Sequence, residues 1–214
     1  MQINETNNLN HSTEIPSHVE NNSAEDPAPK TSSHNPIWEV IKFFLLAFIV
    51  VAPIRIFIAQ PFIVSGASMN PTFATGQYLI VDEISYRFSE PQRGDVIVLK
   101  YPKNPKKYFI KRIIGLPGEK VTINNGVVSI IEPGNPVPII LDEPYIAFEK
   151  KDSLQMSLDD DEYFVMGDNR AASLDSRSWG PLPEKLVVGR AWLRLFPVSG
   201  VSYLPGKYVQ PSNS

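Results

Sequence analysis

Cysteine is absent from the 214-residue chain, and histidine is nearly so. Without cysteine there can be no disulfide, no thiolate nucleophile and no thiolate metal site. The three histidines, His11, His18 and His34, lie within the first 36 residues, a segment rich in Asn, Ser and Pro that is typical of disorder. Unless this tail folds back, the rest of the chain has no imidazole for a Ser-His-Asp triad or a metal site. We expect no metal and no cofactor.

An excess of positive charge is also absent. The net charge is −3, whereas a nucleic-acid-binding domain usually carries a basic stripe. The first 36 residues contain several acidic residues and a single lysine, while transit peptides avoid acids and favour arginine. Nucleic-acid binding and organelle import are therefore not expected.

Long apolar runs are few, and the main one spans residues 37–59. Residues 43–54 carry no charge, and with the flanking apolar residues the run approaches the length of about 20 that a bilayer requires. Lys42 and Arg55 lie near its ends, where long basic side chains can reach the membrane interface. We predict a disordered tail at 1–36 and a single uncleaved transmembrane anchor at 37–59. A buried core helix is the alternative.

Beyond residue 59 the pattern changes to short β-type runs separated by turn residues, and no long helical period follows. Asn125-Gly126 between β-branched residues is a hairpin signal. The sequence therefore predicts a mostly β domain at 60–214. The acidic, Pro-containing stretch 131–161 lacks the alternating ligands of a calcium loop, and we interpret it as a solvated loop. The predicted strands fall in residues 78–84, 95–101, 108–114, 120–130, 162–167 and 186–196.

Ser68, in the stretch GASMNPT, is either a turn serine or a nucleophile. A nucleophilic serine needs a base, and lysine is the main remaining candidate because histidine is absent from this part of the chain. Lysine serves as a base near neutral pH only when its pKa falls well below about 10.4, and burial among apolar groups has that effect.

The lysines of the 103–107 loop lie among Pro and Asn and should be solvated. In YFIKRII, strand alternation places Phe109, Lys111 and Ile113 on one face, so Lys111 should be desolvated. A lysine on an edge strand that extends into water remains the alternative.

Four blocks in this order resemble type I signal peptidases, which are membrane-anchored serine proteases. SGASMNPT is similar to the family's nucleophile block, and KRIIGLPGE and GDNRAASLDSRSWG resemble its longest and most specific blocks. A single Ser-Met-x-Pro string is weak alone, but four ordered blocks after one apolar segment are specific. The blocks span residues 65–72, 94–102, 108–119 and 167–180.

The resemblance implies a Ser-Lys dyad with Ser68 as nucleophile and Lys111 as general base. It also implies an antiparallel, barrel-like β fold, an oxyanion donor at the Ser68 backbone N–H, and a Ser173 hydroxyl that orients the lysine. Some relatives have a serine hydroxyl two residues before the nucleophile, where this chain has Gly66. The matching positions that we expect to be structural near the site are Asp168, Asp175 and Arg177.

The substrates implied by the resemblance are signal-peptide-bearing preproteins, cut after small residues one and three positions before the scissile bond. The implied location is the plasma membrane, or the thylakoid membrane in a photosynthetic cell, with the tail cytoplasmic and residues 60–214 on the far side. Two alternatives are a self-cleaving repressor-type Ser-Lys protease and an inactive, membrane-anchored peptide-binding β module. Side chains that could line the substrate pocket, or else pack in the core, are Ile63, Met69, Phe109 and Ile110.

Overall fold

Two antiparallel β-sheets contain most of the regular structure in the computed structural model, which describes residues 35–53 and 59–209. The strands are β1 (Ala59–Ile63), β2 (Tyr78–Asp82), β3 (Val96–Tyr101), β4 (Asn104–Gly115), β5 (Lys120–Asn124), β6 (Val127–Ile131), β7 (Ile139–Ile140), β8 (Leu154–Ser157), β9 (Glu162–Met166), β10 (Leu182–Pro183), β11 (Val187–Phe196) and β12 (Ser202–Tyr203). The α-helices are α1 (Pro36–Pro53) and the single turn α2 (Ser176–Trp179).

The larger sheet has the strand order β1-β2-β11-β3-β4-β9-β10, and β12 pairs with β11. The smaller sheet has the order β7-β6-β5-β8. Every ladder between these strands is antiparallel, which confirms the predicted mostly β, antiparallel fold. Among the described residues no ladder joins β1 to β10, so strand pairing leaves the larger sheet open.

The predicted β runs correspond to β2, β3, β4, β9 and β11 and to the hairpin of β5 and β6. Asn125 and Gly126 form the hairpin turn, and both have positive φ, which Asn and Gly tolerate at low cost. The period-2 alternation is visible in β5, where alternate residues are buried.

The prediction of a loop throughout 131–161 was wrong for β7 and β8. These short strands pair with the two outer edges of the β5–β6 hairpin, and Leu154 and Met156 of β8 pack against its core. Such long-range pairing leaves little local signal in a four-residue strand. Asp159 to Asp161 lie outside any strand.

Helix α1 covers most of the predicted anchor, and residues 54–58 of that prediction lie outside the described residues, as does the predicted tail up to residue 34. Within 35–53 and 59–209, no helix meets the length and hydropathy needed to cross a bilayer.

A hydrophobic cluster joins the two sheets. It combines Ile114 of β4 and Phe164 and Met166 of β9, from the larger sheet, with residues of the β5–β6 hairpin. Phe164 is fully buried in this cluster. Buried apolar area contributes about 25 cal/mol per Å², so this contact is a main source of the stability that holds the two sheets together.

We predict that Phe164→Ala lowers the free energy of unfolding by about 3–5 kcal/mol, because it leaves a cavity between the sheets. The matched control is Phe88→Ala, since Phe88 is exposed. A surface change of this kind should alter stability by no more than about 0.5 kcal/mol. Denaturant unfolding of both variants measures the difference, and equal effects would contradict an inter-sheet core at Phe164.

Candidate active site

Ser68 and Lys111 meet across the larger sheet although 43 residues separate them in sequence. Lys111 lies on β4, opposite Ile97 of β3, and Ser68 lies in the segment between β1 and β2. The Lys111 Nζ is 2.9 Å from the Ser68 Oγ, a normal hydrogen-bond distance. A nucleophile and a base within this distance are the minimal arrangement for serine-based acyl transfer.

The ammonium form of Lys111 is disfavoured by its surroundings. The residue is only 3% exposed, so its amine is largely removed from water. Burial lowers the pKa of Lys111 from 10.5 to about 8, against the opposing fields of the Asp175 and Asp168 carboxylates. The neutral amine is therefore well populated near pH 8.

The Ile110 carbonyl fixes the direction of the Lys111 amine. The Nζ donates a hydrogen bond to the Ile110 O at 2.8 Å. A neutral amine has two N–H bonds and one lone pair. With one N–H held by this carbonyl, the lone pair can face the Ser68 hydroxyl and receive its proton.

The loop after β9 donates hydrogen bonds to the backbone of the nucleophile segment, residues 66–68. The Asn169 backbone N–H donates to the Ser68 O at 3.0 Å, and the Asn169 Nδ2 donates to the Ala67 O at 3.2 Å. Gly167 allows this close approach, because a Cβ there would lie 2.3 Å from both the Ser68 O and the Ser173 Oγ. The backbone N–H of Ser68 has no protein acceptor within residues 59–209, so it is available to a ligand.

Asp168 forms a buried two-point ion pair with Arg112, the residue after Lys111. Arg112 Nε and Nη2 lie 2.8 and 2.6 Å from the two carboxylate oxygens, and both side chains are fully buried. The Thr72 hydroxyl donates to the same carboxylate, and the Tyr145 ring stacks on the guanidinium at 3.9 Å. Asp168 thus ties β4 to the loop after β9 and to the turn after Ser68.

Asp175 and Arg177 form a second buried ion pair. Arg177 Nε and Nη2 each lie 2.8 Å from a carboxylate oxygen of Asp175. Burial raises the pKa of Asp175, but hydrogen bonds and charge from Arg177, with smaller contributions from Ser173 and Gly167, bring it below its usual value. The Arg177 Nη1 also lies 3.0 Å from a carboxylate oxygen of Asp152. This ion pair connects α2 to the segment just before β8 of the smaller sheet.

Ser173 lies beside the dyad but makes no hydrogen bond to Lys111 in the described region. Its Oγ is buried without a well-formed hydrogen bond, although it is near enough to Asp175 to help lower the pKa of that carboxyl.

A cavity of about 100 Å³ opens beside the dyad and is lined by both reactive residues. Ile63, Phe109 and Ile110 line it, and Ile63 is 59% exposed. Met69 does not line this cavity. It is 1% exposed and packs in the core with Val64, because its side chain points away from the cleft. The cavity is well below the roughly 300–1,000 Å³ of a typical ligand site, so it suits short side chains.

Four residues that hold the site were not singled out by the sequence: Thr72, Arg112, Gly167 and Asn169. All lie within the matched blocks, but one sequence does not show which polar residues of a block pair with each other. Asp168 was expected to be structural near the site, and its partners Arg112 and Thr72 lie 56 and 96 residues away in the sequence. In the described ranges, no group of three or more acidic or histidine residues is placed to bind a metal ion.

Comparison with known proteins identifies the family of the chain. The family model described as "Signal peptidase, peptidase S26" matches residues 37–196. "Probable signal peptidase I-1" of Synechocystis sp. is 38% identical over 174 residues, which cover 76% of this chain and 86% of the relative. "Signal peptidase I" of Leptolyngbya laminosa is 37% identical over 192 residues, which cover 85% of this chain and 90% of the relative.

A crystal structure of a signal peptidase I from Enterococcus faecalis is also similar. It has 31% sequence identity and a TM-score of 0.41, and the match covers 48% of this chain and 97% of that one. The family match covers well over half of the chain, and the curated relatives are matched along most of their length. The chain therefore belongs to the signal peptidase family, peptidase S26, and is a serine peptidase.

Proposed function

We propose that this protein cleaves N-terminal signal peptides from exported preproteins, with Ser68 as nucleophile and Lys111 as general base. The observation that carries the proposal is the 2.9 Å contact between the Ser68 Oγ and the amine of a buried lysine. The names of the relatives support the substrate class, since they are signal peptidases.

Acylation follows from the positions of these groups. The lone pair of neutral Lys111 accepts the Ser68 proton as the Oγ attacks the scissile carbonyl. Negative charge develops on the carbonyl oxygen. The Ser68 backbone N–H, which has no protein acceptor among residues 59–209, donates a hydrogen bond to this oxygen in the proposed mechanism. When the tetrahedral intermediate collapses, the C–N bond breaks and the Lys111 ammonium gives its proton to the leaving amine.

Deacylation uses the same lysine. The amine of Lys111, neutral again, accepts a proton from a water that attacks the acyl-enzyme carbonyl. The second intermediate collapses with the proton returning to the Ser68 Oγ, which restores the hydroxyl and the neutral amine. One buried base therefore serves both halves of the reaction, and no cofactor is needed.

The cavity supports cleavage after small residues. Its volume of about 100 Å³ and its walls of Ile63, Phe109 and Ile110 suit alanine-sized side chains. We expect larger side chains to fit less well between these bulky apolar walls. An extended substrate can add as a strand beside residues 63–67 and 108–111, which brings alternate side chains to the same face. This arrangement matches a requirement at positions one and three before the cut.

Anchorage in a membrane would place the enzyme beside its membrane-inserted substrate. Helix α1 carries large apolar side chains that are exposed, among them Phe43, Phe44 and Leu46. With residues 54–59 this run reaches the length of a single span. We propose that the protein is single-pass in the plasma membrane, or the thylakoid membrane in a photosynthetic cell. The N-terminus is cytoplasmic and residues 60–214 lie on the opposite side.

The dyad is tested with a membrane-inserted precursor that has Ala one and three residues before the cut. Ser68→Ala and Lys111→Met should each reduce cleavage by more than about a thousandfold, because each removes one half of the proton-transfer pair. Methionine keeps the buried volume of the lysine stem, so the fold should be retained.

Matched controls are Ser157→Ala on β8 and Lys107→Met on β4, both at exposed positions. They should cut the precursor at close to the rate of the unmodified protein. Substantial activity in Ser68→Ala or in Lys111→Met would exclude the dyad. Complete inactivity of the unmodified protein would instead support the peptide-binding alternative.

The pH dependence follows from the pKa of Lys111, about 8. The neutral amine is the active form, so kcat/KM should rise with pH and level off above pH 8. Below the pKa it should fall by about tenfold per pH unit as the amine becomes protonated. The acid limb should be unchanged in Lys107→Met. A rate that is flat between about pH 6 and 9 would contradict lysine as the base.

The membrane proposal is tested by fractionation of cells that express the full chain. The protein should remain in the membrane after alkaline carbonate washing, and protease added outside the membrane should digest residues 60–214. Leu46→Arg with Val50→Arg should release it, since each arginine costs about 2.5–3.5 kcal/mol at the centre of a span. Phe88→Arg, an exposed change in the β domain, is the control. Release of the unmodified protein by carbonate would contradict the anchor.

A further inference from the structure

Gly66, two residues before Ser68, has an unusual backbone conformation. Its φ is +99°, in the left-handed region that favours glycine. A Cβ at this position would have no heavy atom within 4 Å, so a lack of space does not require glycine here. The positive φ does favour glycine, and polar contacts to the backbone show what holds this shape just before the nucleophile.

The Thr75 hydroxyl is the group that contacts Gly66. Its Oγ1 accepts a hydrogen bond from the Gly66 N–H at 3.1 Å and donates one to the Gly66 O at 3.0 Å. A single hydroxyl therefore satisfies both polar backbone atoms of the glycine. These two bonds define what we call the Thr75 clamp.

The Thr75 clamp continues the pairing of β1 with β2. The last regular pair of that ladder is Ile63 with Tyr78, and Val64 then bonds through its backbone to Gly76 and Gln77. At Gly66 the positive φ turns the backbone out of the strand path. The Thr75 hydroxyl replaces the backbone group of β2 that would pair next with β1. The hydrogen bonding between the two segments therefore continues to Gly66, two residues before Ser68.

The nucleophile segment is thus held from two sides. Asn169 bonds to the Ala67 and Ser68 carbonyls, and Thr75 bonds to Gly66. Between these supports, the Ser68 N–H has no protein acceptor among residues 59–209, and Ser68 lines the cavity. With both sides held, the Ser68 Oγ and N–H keep a fixed relation to the Lys111 amine. Reaction rates are sensitive to such positioning at the scale of 1 Å.

We propose that Thr75 is a positioning residue for catalysis, which fixes Gly66 and thereby aims the Ser68 Oγ and backbone N–H at the substrate carbonyl. Thr75 itself does not contact the reacting atoms. This inference rests on the proposed role of Ser68 as nucleophile. It adds a residue that lies after the matched SGASMNPT block.

The test compares Thr75→Val, which keeps the shape and removes the hydroxyl, with Thr75→Ser, which keeps the hydroxyl. Cleavage of a precursor by the full-length protein should show a kcat about 10- to 100-fold lower for Thr75→Val, with KM within about twofold, since positioning acts on the chemical step. Thr75→Ser should restore kcat to within about threefold of the unmodified protein. The control is Thr122→Val on β5 in the smaller sheet, which should cut normally.

Two readouts separate positioning from general loss of structure. Thr75→Val should keep the thermal unfolding midpoint near that of Thr122→Val, and it should keep the acid limb of the pH profile, because Lys111 is untouched. An unchanged kcat in Thr75→Val would overturn the inference. So would a loss that Thr75→Ser shares, or a loss confined to KM.

The outcome is distinguishable from failure of the proposed function. If Ser68→Ala is inactive while Thr75→Val is fully active, the dyad stands and only the Thr75 clamp is excluded. If Ser68→Ala remains active, the proposed nucleophile is wrong, whatever Thr75→Val does. If Thr75→Val unfolds, Thr75→Ser and Thr75→Asn, which both retain a hydrogen-bonding side chain, must fold and keep at least about a tenth of the activity. Folded but inactive variants would then exclude the inference.

Discussion

Desolvation of one amine is the constraint on which the proposed chemistry depends. Lys111 can act as a base only because the strand that carries it runs through the interior of the larger sheet, where water no longer stabilises the ammonium form. The histidine-free composition of residues 35–214 leaves no imidazole to share this task. The fold must therefore bury a lysine and still leave its amine facing a hydroxyl.

Two ion pairs around the site limit the effect of nearby carboxylates on the protonation of the buried Lys111. Asp168 and Asp175 both favour the charged form of Lys111, and an unpaired carboxylate would do so more strongly. Arg112 and Arg177 each neutralise one of them at two points. Removal of one partner from a buried pair leaves an uncompensated charge and costs about 3–5 kcal/mol, so these arginines serve both the fold and the state of the lysine.

The sequence predicts correctly those strands and turns whose pattern is visible in neighbouring residues. Alternation in residues 108–114 and the Asn125-Gly126 turn predicted strands that the structure contains. Likewise, local alternation favoured Lys111 over the lysines of residues 103–107. That segment was expected to be a loop, but residues 104–107 belong to β4, and its lysines are exposed. The strands β7 and β8 were missed, because their stability comes from pairing with the β5–β6 hairpin and not from their own composition.

Long-range partners within the site had no local signal. The Arg112–Asp168 pair and the Asn169 contacts to the nucleophile segment join residues far apart in sequence, and Thr75 looks like an ordinary turn residue until its distance to Gly66 is known. The position of Met69 illustrates the reverse case. Its place next to Ser68 left a pocket wall and the core as alternatives, and the structure shows it packed in the core.

The most direct test of the account is titration of the Lys111 amine itself. NMR of the full-length protein with isotopically labelled lysine, assigned by comparison with Lys111→Met, reports its protonation without relying on turnover. Burial at this position predicts a pKa of about 8. A value near 10.5, that of a solvated lysine, would contradict the central claim that the fold supplies a neutral amine to Ser68.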